Sequence, residues 1–366
     1  MAMIISVVSG KGGSGKSLLT AVLGRAIARE GDRVLLVDMD IFVRGLTVLL
    51  FSFRRPERKE GSVTVSDLLG VFSVESNVND PVATDAAKFM IQRFLECDLL
   101  PAVDTVNAPL DYDDRKLSDE AFCDECVRNL LASIQDKYDY VFLDNRAGMD
   151  SLIAASCRNA TIVLAVAEDD EVGRQTNVNL ARFLQTRKNV RVVYTVINKG
   201  RNIHSYSDIQ ARARHRSEFT ILGVIPFDMD VLEDFGSDQF WTIVTETLYF
   251  RAVLDAWNAL SKFVDGVREL SVSKYRFPPR IFMQPSHGRY TFMERILRIY
   301  SIAFVITGAA AWFYGEFRQQ SAVDLYQLIA VGSILVGVAC LVLSTSGFQM
   351  FIRGQARDRE RRDRER

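Results

Sequence analysis

Apolar positions change their spacing repeatedly along the first 260 residues, and each change predicts a new secondary-structure element. Residues 4–8 are mostly apolar and β-branched and predict a strand, whereas SLLTAVLGRAIAREG repeats its apolar positions at helical spacing after a glycine loop. RVLLVDMD is a continuous apolar run that predicts a buried parallel strand with Asp38 and Asp40 at its C-terminal end. The chain therefore begins with a strand, a loop, a helix and a second strand.

Further apolar runs are typical of buried strands, and they lie at residues 97–102, 138–144, 160–167, 190–198 and 219–226. Amphipathic helical stretches separate most of these runs. Strands that alternate with helices predict an α/β fold with a doubly wound, mostly parallel sheet, which binds ligands at the C-terminal ends of its strands. Residues 51–96 interrupt the alternation, and a charged run there predicts a surface loop followed by short helices. We assign residues 1–270 to this domain.

Long uncharged stretches replace the alternating elements after residue 270. Residues 271–298, rich in proline, arginine and aromatic side chains, predict a linker and juxtamembrane segment. Residues 299–316 and 326–348 predict two transmembrane helices, because each is nearly free of charge and close to the roughly 20 residues that a spanning helix needs. The alternative is a helical hairpin buried in a soluble core, and the missing polar face and small residues such as Gly308 and Gly332 disfavour it.

Arginines are concentrated at the two outer ends of the predicted hairpin and not in its connecting loop. Arg289, Arg295 and Arg298 precede the first span, and the tail at residues 353–366 holds seven arginines against four acidic residues, whereas the connecting loop has only Arg318. Positive-inside logic places both termini in the cytoplasm, with two spans in the inner membrane. The start, MAMIISVV, lacks the charged region of a signal peptide, which agrees with this orientation.

Overall charge and the cysteines narrow the function classes. The 45 lysines and arginines nearly balance 46 acidic residues, which disfavours nucleic acid as a partner. The basic runs at 54–59 and 211–216 suit a DNA-binding surface and a solvated face equally well. Five scattered cysteines are typical of a reducing compartment. Cys123 and Cys126 form C-D-E-C in a predicted helix, where a metal would need two more ligands from a second subunit. The three histidines have no ligand-like spacing, and no serine or cysteine has the context of a catalytic triad.

The stretch VSGKGGSGKS, residues 8–17, lies between the first strand and helix and contains the pattern G-x-x-x-x-G-K-S. In such a loop backbone N–H groups surround phosphate oxygens, the lysine reaches the β- and γ-phosphates, and the hydroxyl binds Mg²⁺. Lys16 is the candidate lysine and Ser17 the candidate metal ligand. The predicted ATP-binding residues here are Gly12, Gly13, Ser14, Gly15, Lys16, Ser17 and Leu18.

The loop KGGSGKS resembles the deviant Walker A loop of the MinD/ParA family of P-loop ATPases. VLLVDMD, SVTVSDLLG with LLPA, YDYVFLDNRAG, VINKG and LGVIPFD are similar to further motifs of that family, so the resemblance covers about residues 1–260. It implies ATP and Mg²⁺ as cofactors and a homodimer with ATP sandwiched between the subunits. It also gives the extra lysine, Lys11, a role at the phosphates held by the other subunit, as an arginine finger has.

The resemblance and the chemistry of the side chains together suggest the remaining roles. Asp40 is the candidate that orients or deprotonates the attacking water, so the predicted catalytic set is Lys11, Lys16 and Asp40. Ser17, Asp40 and Asp144 form the predicted metal set, in which Asp144 holds a magnesium-bound water. Asp38 is expected to support the loop or the metal shell. Base recognition is assigned to Asn198, Pro226 and Asp228, for which loop capping is the alternative.

Arg146 stands where the family usually has proline, and two interpretations are open: a charge near the γ-phosphate, or a side chain in solvent. The leading functional hypothesis is a membrane-anchored, ATP-hydrolysing dimerisation switch, slow or partner-stimulated, that controls a partner protein or a membrane assembly. The alternatives are a nucleotide-gated membrane effector and a bacterial-type tyrosine kinase. The kinase is less favoured because such kinases place their spans before the ATPase domain and end in a tyrosine cluster.

Overall fold

The computed structural model describes residues 2–53, 62–70, 89–105, 117–188, 190, 192–200, 220–235, 237 and 239–277. Both predicted spans, most of the linker, the arginine tail and the basic runs at 54–59 and 211–216 lie outside these residues. Within the described ranges, no helix combines the length and the apolar character needed to cross a bilayer.

The described strands form one sheet of eight, and its centre is parallel because buried apolar runs alternate with helices along the chain. The strands are β1 (Met3–Ser9), β2 (Val34–Asp38), β3 (Gln92–Phe94), β4 (Cys97–Leu100), β5 (Tyr140–Ala147), β6 (Ile162–Glu168), β7 (Val193–Gly200) and β8 (Thr220–Pro226). Their order across the sheet is β3-β4-β2-β5-β1-β6-β7-β8, and every pair is parallel except β3 with β4.

Helices cover both faces of the sheet. They are α1 (Lys16–Ala28), α2 (Gly45–Phe53), α3 (Val65–Leu68), α4 (Glu120–Ile134), α5 (Ser151–Arg158), α6 (Glu171–Lys188), α7 (Met229–Asp234), α8 (Phe240–Ile243) and α9 (Leu248–Leu260). Successive residues of β1 point to opposite faces, so Ile5 and Val7 pack in the cluster that holds α1 and α9, whereas Ile4 packs with α4. Val8 joins the third cluster, which contains α5 and α6.

Aromatic and charged contacts attach the elements after β8 to the rest of the core. Trp257 of α9 packs edge-on against Tyr140 with ring centroids 5.9 Å apart, and it also contacts Phe142 at 6.3 Å. The guanidinium of Arg25, nearly buried in α1, donates to the carbonyl of Trp241 and to Glu96 Oε2, the latter at 2.6 Å. These contacts build one continuous core from β1 to α9.

The predicted α/β fold with a mostly parallel sheet is confirmed, and two local details differ. Residues 51–96 were expected to hold a loop and short helices, yet β3 forms an antiparallel edge strand there, turning into β4 through Leu95 and Glu96. The strand expected at 97–102 ends at Leu100, directly before Pro101, which has no N–H to donate to a ladder.

Candidate functional site

The loop between β1 and α1 takes the conformation that its glycines allow. Gly13 and Gly15 have φ angles of 75° and 86°, in the left-handed region that favours glycine. A side chain at Gly15 would also collide with the amide of Asn198, and one at Gly10 would collide with the backbone of Thr176 in α6. Glycine is therefore required at Gly10 for space and at Gly15 for both conformation and space.

Asn198 and Lys199, at the end of β7, hold this loop from the side. Asn198 Nδ2 donates to the carbonyl of Ser14 at 2.8 Å, and Asn198 Oδ1 accepts from the N–H of Lys199 at 2.9 Å. Lys199 Nζ donates to the carbonyl of Gly13 at 2.7 Å. Both polar atoms of the Asn198 amide are engaged, so its contact in this structure is with the loop, and the predicted contact with adenine stays a prediction.

The start of α1 suits a phosphate group. Gly15 caps the helix without a side-chain hydrogen bond, so the first N–H groups and the positive end of the helix dipole face the loop. Ser14 Oγ is buried, and the described residues give it no hydrogen-bond partner. The side chain of Lys16 lies in the first turn, nearly buried. These groups would hold the phosphates of ATP.

Ser17 and Asp144 come together as the sequence predicts. Ser17 Oγ donates to Asp144 Oδ2 at 2.6 Å, and Thr20 Oγ1 donates to Asp144 Oδ1 at 3.2 Å. Burial raises the pKa of Asp144 to about 6, Lys16 opposes that rise, and the charge of Asp40 adds to it. A hydroxyl and a carboxylate are the hard oxygen donors that Mg²⁺ prefers, and Mg²⁺ usually keeps water and phosphate oxygens as its other ligands. The donor set therefore fits Mg²⁺.

Asp38 and Asp40 have different surroundings. Asp38 Oδ2 accepts from the N–H and the hydroxyl of Thr47, both at 2.8 Å, and burial, with the nearby charge of Asp144, raises the pKa of Asp38 to about 8. Asp38 thus fastens the start of α2 to β2. Asp40 lies beyond the strand, where Asp40 Oδ1 accepts from the N–H groups of Phe42 at 3.3 Å and Val43 at 2.9 Å.

Lys11 is bound by its own chain. Its Nζ lies 2.6 Å from Glu168 Oε2 and 2.9 Å from Asp170 Oδ2, and Lys199 Nζ shares Glu168 at 3.1 Å. The hydrogen bond that Lys11 donates to Glu168, and then the one that it donates to Asp170, raise the pKa of Lys11, and the first of these bonds lowers the pKa of Glu168. The lysine is charged and located at the rim of the loop, with its side chain 35% exposed.

Pro226 and Asp228 follow β8 near the same edge of the sheet. Pro226 is the last residue of β8, paired with Gly200 of β7. The carboxylate of Asp228 caps α7, accepting from the N–H of Asp230 at 3.0 Å and from that of Tyr249 at 3.4 Å. Capping, the alternative left open by the sequence, describes the contacts of Asp228 here.

The sequence of this chain matches a known protein family. The family described as the CobQ/CobB/MinD/ParA nucleotide binding domain matches residues 5–239. The chain belongs to this family. The chain is 32% identical to the septum site-determining protein MinD of Synechocystis over 160 residues, which are 44% of this chain and 49% of that relative. It is 26% identical to MinD of Bacillus subtilis over 238 residues, 64% of this chain and 79% of that relative.

A solved structure shares the fold of this member of the CobQ/CobB/MinD/ParA family. It is MinD from Pyrococcus horikoshii complexed with Mg-ADP, with a TM-score of 0.51, 21% identity, and coverage of 74% of this chain and all of that one. The family match makes this chain a P-loop ATPase, with ATP and Mg²⁺ as its expected ligands. When bound, Mg²⁺ would neutralise charge on the phosphate oxygens, with Ser17 and Asp144 as the residues that hold it.

Arg146 contacts two residues of its own chain, and a role near the γ-phosphate stays a prediction. Its Nε pairs with the carboxylate of Asp150, and its guanidinium lies over the ring of Phe42, 4.6 Å from the centroid. The side chain is 33% exposed. It thus joins the end of β5 to the loop after β2, although Arg146 and Phe42 are 104 residues apart along the chain.

Cys123 and Cys126 lie in α4 and are buried in the apolar cluster between α4 and the sheet. Burial raises the pKa of Cys123 to about 12. Among the residues that the structure describes, no three histidines, cysteines or carboxylates are grouped so as to hold a metal ion. In this structure both cysteines are packed as residues of the hydrophobic core.

Sequence reasoning missed several residues around the site. Glu168 and Asp170 lie at the end of β6 and just beyond it, so their position at a strand end is the signal that would have selected them. Lys199 lies near the end of β7 and had the same signal, whereas Phe42 had none, because its contact is with Arg146, far away in the chain.

Proposed function

We propose that this chain is a membrane-anchored ATPase that acts as a dimerisation switch. ATP binding joins two subunits, hydrolysis separates them, and the cycle controls a protein partner or a membrane assembly. The C-terminal hairpin keeps both subunits in the inner membrane, with both termini in the cytoplasm. Attachment is then permanent, so the ATP cycle changes the association of subunits rather than their binding to lipid.

The observation that carries this proposal is the position of Lys11. Lys16 and the N–H groups of α1 account for the phosphates of the chain's own nucleotide, whereas Lys11 lies outward at the rim, held by Glu168 and Asp170. A second cation in the same short loop suits the phosphates of another subunit. Exchange of two carboxylates for phosphate oxygens lets Lys11 serve both states without leaving its charge unpaired.

Asp40 is the residue that we propose orients the attacking water. It follows the strand that lies next to β5, and its charge acts on the pKa of Asp144 in the candidate magnesium site. One of its oxygens is held by the N–H groups of Phe42 and Val43, which fixes the direction of the carboxylate. A fixed carboxylate beside the metal is the arrangement that general base catalysis needs.

Size analysis of the detergent-solubilised full chain, with and without ATP, tests the switch. We expect an ATP-dependent dimer for the wild type and a more persistent one for Asp40→Ala, because that variant binds ATP without hydrolysing it. Lys11→Ala is expected to bind ATP and stay monomeric. Lys274→Ala is the matched control, since it removes a lysine that pairs with Glu30 outside the loop. Normal dimerisation and hydrolysis by Lys11→Ala would refute the cross-subunit role.

Membrane attachment needs its own experiment. We expect isolated membranes to retain the protein after washing with alkaline carbonate, which strips proteins held only by surface contacts. Release into the wash would contradict the two-span anchor.

The nearly uncharged stretches at residues 299–316 and 326–348 also favour a second candidate function, a membrane effector gated by nucleotide. A leakage assay on liposomes that contain the protein distinguishes the membrane effector from the dimerisation switch. Leakage of a small dye that depends on ATP would favour the effector, whereas a dimer that forms without leakage favours the switch.

A further inference from the structure

We propose that Arg146 is a positioning residue for ATP hydrolysis, which couples the loop after β5 to the loop that carries Asp40. The inference rests on the proposed role of Asp40. It concerns a residue at which this chain departs from the proline usual in the resembling motif, and a proline would offer neither a cation nor a donor at this place.

The guanidinium of Arg146 is fixed on one side by the start of α5. Its Nε pairs with one oxygen of Asp150, while the other oxygen of Asp150 accepts from the N–H of Ile153 at 2.9 Å and caps the helix. Asp150 is therefore itself held in place by a helix end. Because Asp150 binds both Arg146 and the N–H of Ile153, it fixes the direction of the Arg146 side chain.

On its other side the guanidinium covers Phe42. The distance from Cζ to the ring centroid is 4.6 Å, which lies within the range of a cation–π contact. The backbone of the same residue donates to Asp40 Oδ1 at 3.3 Å, next to the N–H of Val43 at 2.9 Å. A movement of the Phe42 ring therefore moves a group that directs the proposed water-orienting carboxylate.

A second contact joins the same two segments at the metal site. The N–H of Met39 donates to the carbonyl of Asp144 at 3.0 Å, two residues before Arg146. The Asp40 loop is thus attached to β5 through backbone at Asp144 and through a side chain at Arg146. A partly exposed cation–π contact is weak. We therefore expect it to set the position of the Asp40 loop and to contribute little to the stability of the fold.

The experiment is a double-mutant cycle on steady-state ATP hydrolysis by the full chain. Arg146→Gln removes the cation and Phe42→Leu removes the ring while keeping an apolar side chain. We expect each variant to lower kcat about three- to tenfold, the order that one such contact supplies, with the KM for ATP unchanged. The double variant is expected to lose no more than the worse single variant, since both changes break the same contact.

Conservative variants and a matched control separate positioning from folding. Phe42→Tyr keeps an aromatic ring and Arg146→Lys keeps a cation, so both are expected to recover most of the rate. Arg251→Gln removes a comparable contact, 5.5 Å from Phe277 and outside the nucleotide loops, and should leave kcat and KM unchanged. The inference is overturned if the two losses multiply, or if melting temperatures fall while kcat stays constant.

Asp40→Ala distinguishes failure of this inference from failure of the proposed function. If Asp40→Ala loses hydrolysis while Arg146→Gln and Phe42→Leu keep the wild-type kcat, only the positioning role is wrong. If Asp40→Ala hydrolyses ATP at the wild-type rate, the role of Asp40 is wrong and the positioning role falls with it.

Discussion

Lys11 shows how a single residue can be assigned to two states of one protein. In this structure its ammonium group contacts Glu168 and Asp170, and Glu168 keeps Lys199 as a second partner. If Lys11 moved to a second subunit as proposed, Glu168 would therefore not become an isolated charge. The loss falls mainly on Asp170, whose side chain is 35% exposed and easily rehydrated. Such an arrangement keeps the cost of releasing Lys11 low.

Removal of the two carboxylates should favour dimer formation. We expect Glu168→Gln combined with Asp170→Asn to lower the ATP concentration for half-maximal dimerisation several-fold, because Lys11 then loses both carboxylates that it contacts in this structure. Chemical cross-linking against ATP concentration measures the effect. Glu171→Gln is the control, since Glu171 pairs with Arg174 and is 79% exposed. An unchanged or higher ATP requirement in the double variant would contradict this account.

At the scale of elements, long apolar strands are predictable and their partners are not. Five of the predicted strands coincide with β4 to β8 because continuous apolar runs have few alternatives to burial. The three residues of β3 have no such pattern, and β3 forms because it pairs with β4. The same distinction holds in the site. Ser17 and Asp144 each belong to a recognisable motif, whereas Arg146 meets Phe42 only through the order of strands in the sheet.

Ion pairs from Arg25 and Arg29 of α1 to Glu96, in the turn from β3 to β4, should make the free energy of unfolding depend on pH. Burial alone would raise the pKa of Glu96, yet hydrogen bonds and charge from Arg25 and Arg29 lower it to about 2. A lowered pKa stabilises the fold fully above the usual glutamate range and loses that contribution as pH falls towards 2.

We therefore expect Glu96→Gln to lower the free energy of unfolding near pH 7 by about 1 kcal/mol, a value reduced for the partial exposure of this side chain. The difference from the wild type should shrink between about pH 5 and pH 2, where wild-type Glu96 becomes protonated. Urea unfolding at a series of pH values measures it, with Glu171→Gln as the control. A difference that stays constant down to pH 2 would mean that the ion pairs do not carry the effect.

At the scale of the whole molecule, a two-span anchor would change how two subunits meet. Molecules confined to one membrane surface encounter each other at a concentration set by surface density and not by the volume of the solution. Dimerisation would then require little affinity between the soluble domains themselves.

This reasoning predicts the response to two kinds of dilution. In vesicles that contain the full chain and ATP, we expect the cross-linked dimer to be unaffected when buffer is added and to decrease when lipid is added at constant protein. Detergent-solubilised protein provides the comparison, because its dimer should decrease on simple dilution. Loss of the vesicle dimer on addition of buffer alone would show that the subunits meet in solution.

The core that joins α1 to α9 has a consequence for work on fragments of this chain. The family match stops at residue 239, yet Arg25 donates to the carbonyl of Trp241, and Trp257 packs on Tyr140 and Phe142. A fragment cut where the sequence similarity ends would lose the cover of Tyr140 and Phe142 on β5. A piece that keeps this packing therefore extends at least to Phe277, whose ring contacts Phe250 of α9.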